Sequence, residues 1–124
     1  MKQADQPGSA ITMLESDFGA ANHYVAIALS AKGNWEEAEH AFEAAVRADP
    51  RDAEVHFNYG VALRKQSLWQ NAATEFAESS RLRPFHPQAR CELALALKHL
   101  GRLAEAQQEF TNAKEVGPCP LDVP

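Results

Sequence analysis

The sequence predicts an all-α protein in which three copies of a helix-turn-helix unit stack as an α-solenoid. The first observation behind this prediction is a constant spacing of 34 residues between equivalent aromatic and proline positions. The two columns are Phe42, Phe76 and Phe110, and Pro50, Pro84 and Pro118. A fixed period of this length is typical of arrays in which each repeat is a pair of antiparallel helices.

The second observation is that small residues recur at the same spacing within each predicted helix pair. They are Ala26, Gly60 and Ala94 in the first helices, and Ala38, Ala72 and Ala106 in the second helices. Small side chains let two helices approach closely, and the phenylalanine column is expected to fill the space beside them. Burying one such ring contributes roughly 1.5–3 kcal/mol. Neighbouring repeats must stack because one repeat cannot bury its apolar face alone.

Helix start and stop signals give the boundaries of the three repeats. Gly33 ends the first helix, Asn34 and Glu37 form a capping-box pattern for the second, and Pro50 stops it. Asp52 is the expected N-cap of the third helix. The predicted repeats span residues 19–52, 53–86 and 87–120, with helices over 20–32, 35–48, 53–66, 69–82, 87–100 and 102–116.

Both ends of the chain are predicted to lie outside the repeats. Residues 1–18 form a leader: the first eight residues are polar and expected to be disordered, and a short helix follows over 10–17, capped by Ser9. We interpret that helix as a lid on the open face of the first repeat. Residues 121–124 form a tail that is not helical, because Pro118 and Pro120 precede it.

Composition restricts the classes of function. The formal net charge of −5 argues against a non-specific nucleic-acid binder, which needs a basic surface. The absence of an apolar run of about 18 residues predicts no membrane span, and the N-terminus lacks the apolar core of a signal peptide. The two cysteines, Cys91 and Cys119, do not make a disulfide framework. A reduced, cytoplasmic setting is therefore expected.

The recurring columns resemble the tetratricopeptide repeat family over residues 19–120. The resemblance implies a right-handed superhelix of helix pairs that holds a peptide in its concave groove. One column departs from the family pattern, which favours a large apolar residue near the start of each repeat. This chain has Asn22, His56 and Arg90 there, so looser packing is expected at those positions.

Arrays of this family usually finish with an extra solvating helix, and no such helix is predicted after the last helix of this sequence. Its outer face is polar and carries Gln107, Gln108, Thr111 and Lys114. A polar final face is typical of an array that ends there, since terminal repeats need a polar outer surface. The alternative is a cap supplied by another subunit, which would give a homo-oligomer through the uncapped C-terminal repeat.

The side of each first helix opposite its core positions is predicted to line the peptide-binding groove. Ile27, Val61 and Leu95 form an apolar column there, which Tyr24 and Phe57 widen. An exposed apolar strip of this kind is a candidate binding site. The remaining residues of the predicted site are polar or basic: Asn58, Arg64, Lys65, Lys98 and His99. The basic residues lie near helix C-termini, where they also favour the helix dipole. The predicted ligand is a peptide with apolar anchors and an acidic group.

One subclass of the family clamps the C-terminal carboxylate of heat-shock chaperones with lysine, asparagine and arginine side chains. The equivalent positions of this chain are His23, Ile27, Asn58, Gln88 and Glu92. Only Asn58 matches, and the Glu92 carboxylate would repel a carboxylate ligand. Binding of a chaperone tail is therefore not expected.

The first functional interpretation is a protein-protein interaction scaffold. The alternative is a docking or regulatory domain of a larger enzyme, such as a glycosyltransferase. The five histidines show no metal-ligand spacing on one helix, and the sequence has neither a phosphate loop nor a nucleophile elbow. We predict no catalytic residue, metal or cofactor. Cys91 is expected to face the groove without a base to activate it, and we interpret it as a small residue at a buried edge rather than a reactive thiol.

Overall fold

The computed structural model describes residues 7–117 and residue 119, with side chains from residue 19 onward. Within that part of the chain there are six α-helices and no β-strand. The helices are α1 (Pro7–Ala31), α2 (Trp35–Ala48), α3 (Ala53–Lys65), α4 (Trp69–Leu82), α5 (Pro87–His99) and α6 (Leu103–Val116). The all-α prediction and its helix-turn-helix pairs are thereby confirmed.

The helices form two compact units, which divide between Arg51 and Asp52. In the first unit α1 packs against α2. In the second unit α3 packs against α4, α4 against α5, and α5 against α6.

The N-terminal helix differs from the prediction. The expected short helix over 10–17 and the first repeat helix over 20–32 are one continuous helix, α1, of 25 residues. Gly19 lies within this helix and does not interrupt it. A Cβ at this position would lie only 2.7 Å from the Cβ of Ala48. The glycine thus permits a close approach of α1 and α2. Ser9 lies inside the helix, which begins at Pro7, a residue type favoured in a first turn. Residues 1–6 of the predicted leader and the tail 121–124 lie outside the described residues.

The turn inside each helix pair has the same conformation in all three repeats. Gly33 and Gly101 have φ of 80°, and Ser67 at the equivalent position has φ of 62°. The left-handed region ends helices in a Schellman-type turn, and the serine adopts it at a cost that glycine does not have. The closing hydrogen bonds, each 2.9 Å, run from the amides of Asn34, Leu68 and Arg102 to the carbonyls of Leu29, Leu63 and Leu97.

The predicted N-caps Asn34 and Asp52 have different outcomes. The Asp52 side chain accepts hydrogen bonds from the amides of Glu54 and Val55, at 3.0 and 3.4 Å, so this cap is confirmed. The Asn34 side chain makes no capping hydrogen bond, and the predicted capping box is wrong. The reason is the backbone: the Schellman-type turn holds Asn34 at ψ of 71°, outside the extended region that a capping residue adopts.

The core follows the columns seen in the sequence. Ala26, Ala38, Ala72, Ala94 and Ala106 are all buried. Phe42 and Phe76 are fully buried beside them. At Gly60 an added Cβ would lie 2.7 Å from the Phe76 ring, so the glycine makes room for that ring.

The third aromatic of the column, Phe110, differs from the other two. Its side chain is half-buried, because no helix follows α6 among the described residues to cover it. The equivalence expected from the 34-residue spacing therefore fails at this position. The predicted polar face of α6 is exposed at Gln107, Gln108, Thr111 and Lys114.

Two of the three polar residues that depart from the family pattern, His56 and Arg90, pair with an acidic residue on the other helix of their repeat. The His56 Nδ1 lies 2.8 Å from Glu75 Oε1, and the Arg90 Nη1 lies 3.5 Å from Glu109 Oε1. Both pairs join equivalent positions, 34 residues apart. Each acidic partner on the second helix thus compensates a polar residue where the family favours a large apolar one.

Candidate functional site

The predicted peptide-binding residues of the second unit lie on α3 and α5. The apolar members, Val61 and Leu95, are half-buried, and Phe57 and Asn58 are likewise half-buried on α3. We use the name α3–α5 surface for one side of these two helices. It carries these four residues together with Arg64, Lys65 and Lys98. In the first unit the predicted residues are exposed on α1: Tyr24 is 71% exposed and Ile27 is 39% exposed.

One member of the predicted basic patch is paired across the α3–α5 surface. The Arg64 Nε lies 3.1 Å from Glu92 Oε1, and the Glu92 side chain is buried. Burial raises the pKa of the Glu92 carboxyl above its usual value, and the positive charge of Arg64 partly offsets this. The charge of Arg64 is therefore paired with Glu92 of the same protein. The sequence alone did not reveal this pairing.

A second member of the predicted patch, His99, is held by an aromatic contact. Its ring stacks on the indole of Trp69, with ring centroids 3.8 Å apart and planes 1° from parallel. The contact joins the start of α4 to the end of α5. Lys65 and Lys98 stay exposed, and they are the members of the patch whose ammonium groups face solvent.

The buried carboxyl gives a prediction for the pH dependence of stability. Because the pKa of Glu92 is raised in the folded state, the unfolded chain releases this proton first as pH rises. We expect the stability of the native protein, measured relative to Glu92→Gln, to be greatest below about pH 4.5 and to fall as the pH rises towards about 7. Urea denaturation of both proteins across this range measures the difference.

Glu78 is the matched control for this prediction. Its hydrogen bond with Arg81 lowers the pKa of the Glu78 carboxyl, so Glu78→Gln should give the opposite trend. The Glu78 carboxylate stabilises the folded state at pH values above the pKa that this group has in the unfolded chain. This stabilisation is lost as the pH falls. A constant difference between native protein and Glu92→Gln across the range would contradict the assignment.

Described residues of the second unit line at least two cavities. One, of about 200 Å³, adjoins the α3–α5 surface and is lined by Ala53, Glu54, Phe57, Asn58, Ser79, Arg83, His86 and Gln88. The other, of about 350 Å³, is lined by residues of α4, α5 and α6 and by Arg102, and it contains none of the predicted site residues. Arg83 and His86 of this cavity lie in the α4–α5 connection and are not among the predicted site residues.

The cysteines contradict the prediction made from the sequence. Cys91 and Cys119 form a disulfide, with Cα atoms 5.9 Å apart. Cys91, expected to face the groove, is fully buried. The two residues are 28 positions apart in the chain. Spacing alone could not show this, because two cysteines in a chain of this length can pair only if the fold juxtaposes them.

None of the described helices combines the length and apolarity needed to cross a bilayer. The described residues also contain no group of three or more histidine, cysteine, aspartate or glutamate side chains arranged to hold a metal ion.

The paired helices, the recurring turns and the buried small-residue columns define a helical-repeat protein. The chain belongs to the tetratricopeptide repeat family: the family model described as "Tetratricopeptide repeat" matches residues 26–87 and 64–116. No curated protein sequence matches the chain.

Solved structures with the same fold include three groups of proteins. A point mutant of MamA is 20% identical, with a TM-score of 0.74 over 94% of this chain and 90% of that chain. The second TPR of Spaghetti (RPAP3), bound to the HSP90 peptide SRMEEVD, is 20% identical, with a TM-score of 0.75 over 82% and 94%. The type III secretion translocator chaperone SycD of Yersinia enterocolitica is 22% identical, with a TM-score of 0.73 over 81% and 76%. At these identities the similarity shows the fold alone.

Proposed function

We propose that the chain is a protein-interaction scaffold that binds a peptide segment of a partner protein along the α3–α5 surface. The observation that carries the proposal is an apolar strip with lysines at one end. Val61 and Leu95 are half-buried on neighbouring helices, and Lys65 and Lys98 are exposed one turn further along each helix. Such a surface fits a ligand with apolar anchors followed by an acidic group.

The peptide-bound state of one structural neighbour supports this kind of binding. The RPAP3 repeat domain carries an HSP90 peptide, SRMEEVD. The present chain has only Asn58 of the side chains expected for a chaperone-tail clamp, and its Glu92 is buried against Arg64. The partner of this chain is therefore proposed to be a different acidic peptide. Its acidic group meets Lys65 and Lys98 rather than a clamp of asparagines and arginine.

The proposed role is binding without catalysis. Membership of the tetratricopeptide repeat family supports a scaffold. The cytoplasmic setting stays a prediction from the sequence. There the Cys91–Cys119 pair would be open or transient, since disulfides of cytosolic proteins are usually of the redox-sensing or catalytic kind.

Peptide selection tests the proposed surface. The purified full chain is used to select from a displayed library of random peptides, and the affinities of the selected sequences are measured by fluorescence anisotropy. We expect peptides that combine apolar residues with an acidic group, and we expect Val61→Glu to weaken their binding by about tenfold or more. Lys65→Glu/Lys98→Glu should weaken it as well and make binding less sensitive to salt. Light scattering on the same samples gives the oligomeric state.

Gln108→Glu is the matched control for these variants. It adds one negative charge on the exposed face of α6, away from the α3–α5 surface, and should leave the affinity unchanged. Arg64 is not used as a test position, because its removal would leave the buried Glu92 without a counter-charge. Equal affinities for the native chain, Val61→Glu and the lysine double variant would refute the proposed surface.

A further inference from the structure

We propose that the groove between α4 and α6 binds an arginine side chain of a partner protein, as a second site separate from the α3–α5 surface. The groove is the cavity of about 350 Å³ in the second unit, and we call it the α4–α6 groove. Its walls are α4 and α6, and α5 packs against both of them. The lining residues that carry the argument are Ala73, Ala77, Leu93, Leu97, Glu105 and Glu109.

Two alanines on α4 leave the space that forms the groove. Ala73 and Ala77 are four residues apart and therefore lie on the same face of the helix. The positions 34 residues later, on α6, carry the longer side chains of Gln107 and Thr111. The volume of about 350 Å³ is at the lower end of the range of roughly 300–1,000 Å³ for ligand pockets. A space of this size suits one long side chain rather than a helix.

The α5 side of the groove is apolar. Leu93 and Leu97 are 9% and 5% exposed, and they are one helical turn apart. Arginine and lysine bury their hydrocarbon stems along apolar surface and keep the charged group in a polar environment. The two leucines and two alanines can therefore contact the stem of a basic side chain.

Glu109 on the α6 wall can accept hydrogen bonds from the charged group. Its ion pair with Arg90 is long, at 3.5 Å between Nη1 and Oε1, whereas charge-assisted N–H···O bonds measure about 2.7–2.9 Å. Among the described residues, Glu109 Oε1 has no hydrogen-bond partner. Since a carboxylate can accept about four hydrogen bonds, Glu109 retains acceptor capacity for a ligand.

The rest of the α6 wall favours arginine as the ligand. Glu105 accepts hydrogen bonds from Arg102 Nε and Nη2 at 2.9 and 2.7 Å. This pair is exposed, so it contributes little to stability and can rearrange. The Gln108 amide nitrogen donates to Asn112 Oδ1 at 3.1 Å, which leaves the amide oxygen to accept a further hydrogen bond. A guanidinium has more N–H donors than an ammonium, so it can use several of these acceptors at once. The lining carries two carboxylates and one guanidinium, and its formal charge of −1 complements a cation.

An NMR titration of the isotope-labelled full chain tests the proposal. The probe is a blocked alanine peptide with one central arginine, and the control probe has citrulline there, which has the same length and no charge. We expect amide shifts at residues 70–77, 93–97 and 105–109. The citrulline peptide should bind at least about tenfold more weakly, because it cannot form charge-assisted hydrogen bonds.

Ala77→Gln tests the groove by filling it. Ala77 is exposed and glutamine is a good helix former, so the variant should fold. We expect it to bind the arginine peptide at least about fivefold more weakly, because the added side chain occupies space that the ligand needs. Ala104→Gln is the matched control: this alanine is exposed on α6 outside the groove lining, and its replacement should leave the affinity unchanged.

Glu109→Gln tests the role of the carboxylate. It should weaken binding of the arginine peptide at least about fivefold, because the charge-assisted hydrogen bonds are lost. Glu115→Gln removes the same charge from an exposed position of α6 outside the groove lining and should have no effect. Equal losses in the two variants would show attraction to net charge only and would overturn the site.

Four further outcomes would overturn the proposal. They are no detectable binding of the arginine peptide, equal binding of the citrulline peptide, equal affinities of the native chain and Ala77→Gln, and dimers in light scattering that Ala77→Gln dissociates. The last result would assign the groove to a second copy of the chain. The acidic peptides selected for the α3–α5 surface should bind Ala77→Gln and the native chain equally. Failure of the groove would therefore leave the proposed function unaffected.

Discussion

Replacing Phe76 with alanine is expected to lower the free energy of unfolding by about 3–5 kcal/mol. The ring is fully buried between α3 and α4, and it occupies the space that Gly60 leaves open. Truncation would leave a cavity that the surrounding helices cannot fill, since the backbone at Gly60 carries no side chain to move into it. Urea denaturation followed by circular dichroism measures the change.

Phe110→Ala is the matched control for this substitution. It removes the same group at the equivalent position of repeat three, where the ring is only half-buried. The expected loss is smaller, about 1–2 kcal/mol, because part of the ring is already in contact with water. Equal losses at Phe76 and Phe110 would show that the two rings have the same surroundings in solution, which the structure contradicts.

Removing the disulfide is expected to have the next largest effect. The crosslink closes a loop between residues 28 positions apart, and a crosslink of this size typically stabilises the folded state by about 2–4 kcal/mol. The Cys91→Ala/Cys119→Ala variant should therefore unfold at a lower urea concentration than the oxidised protein. Most of the effect comes from the unfolded chain, whose freedom the crosslink restricts.

The same measurement in dithiothreitol provides the control for this prediction. The reductant should lower the urea midpoint of the native protein and leave that of the double variant unchanged. A double variant as stable as the oxidised native protein would mean that the crosslink contributes no stability.

The repeat period allowed most of the fold to be predicted. The helix pairs of the second and third repeats follow from the spacing of Phe76 and Phe110 and from the stop signals at their ends. Local signals were reliable where a side chain binds backbone groups next to it in the chain, as with the Asp52 N-cap. They failed where a neighbouring turn fixed the backbone first, as at Asn34. The continuous α1 was missed because Gly19 is compatible with either a break or a close contact.

The candidate site was predicted only in part, because charge and exposure depend on neighbours distant in sequence. The basic patch appeared as four residues in the sequence, yet Arg64 is compensated by Glu92 and the His99 ring stacks on Trp69. These contacts join residues from different helices, so helix periodicity carries no information about them. Lys65 and Lys98 keep the predicted exposure, and the binding role of the α3–α5 surface stays a proposal.

What the sequence determined by itself is the helical repeat and its small-residue and aromatic columns, because these depend on residue type at a fixed period. The tertiary structure decided which charged and polar side chains pair with one another within the protein. It paired His56 with Glu75 and Arg64 with Glu92, and it brought Cys91 and Cys119 together. The physical reason is that burial and pairing are properties of positions in space, and adjacent helices create those positions only after they pack.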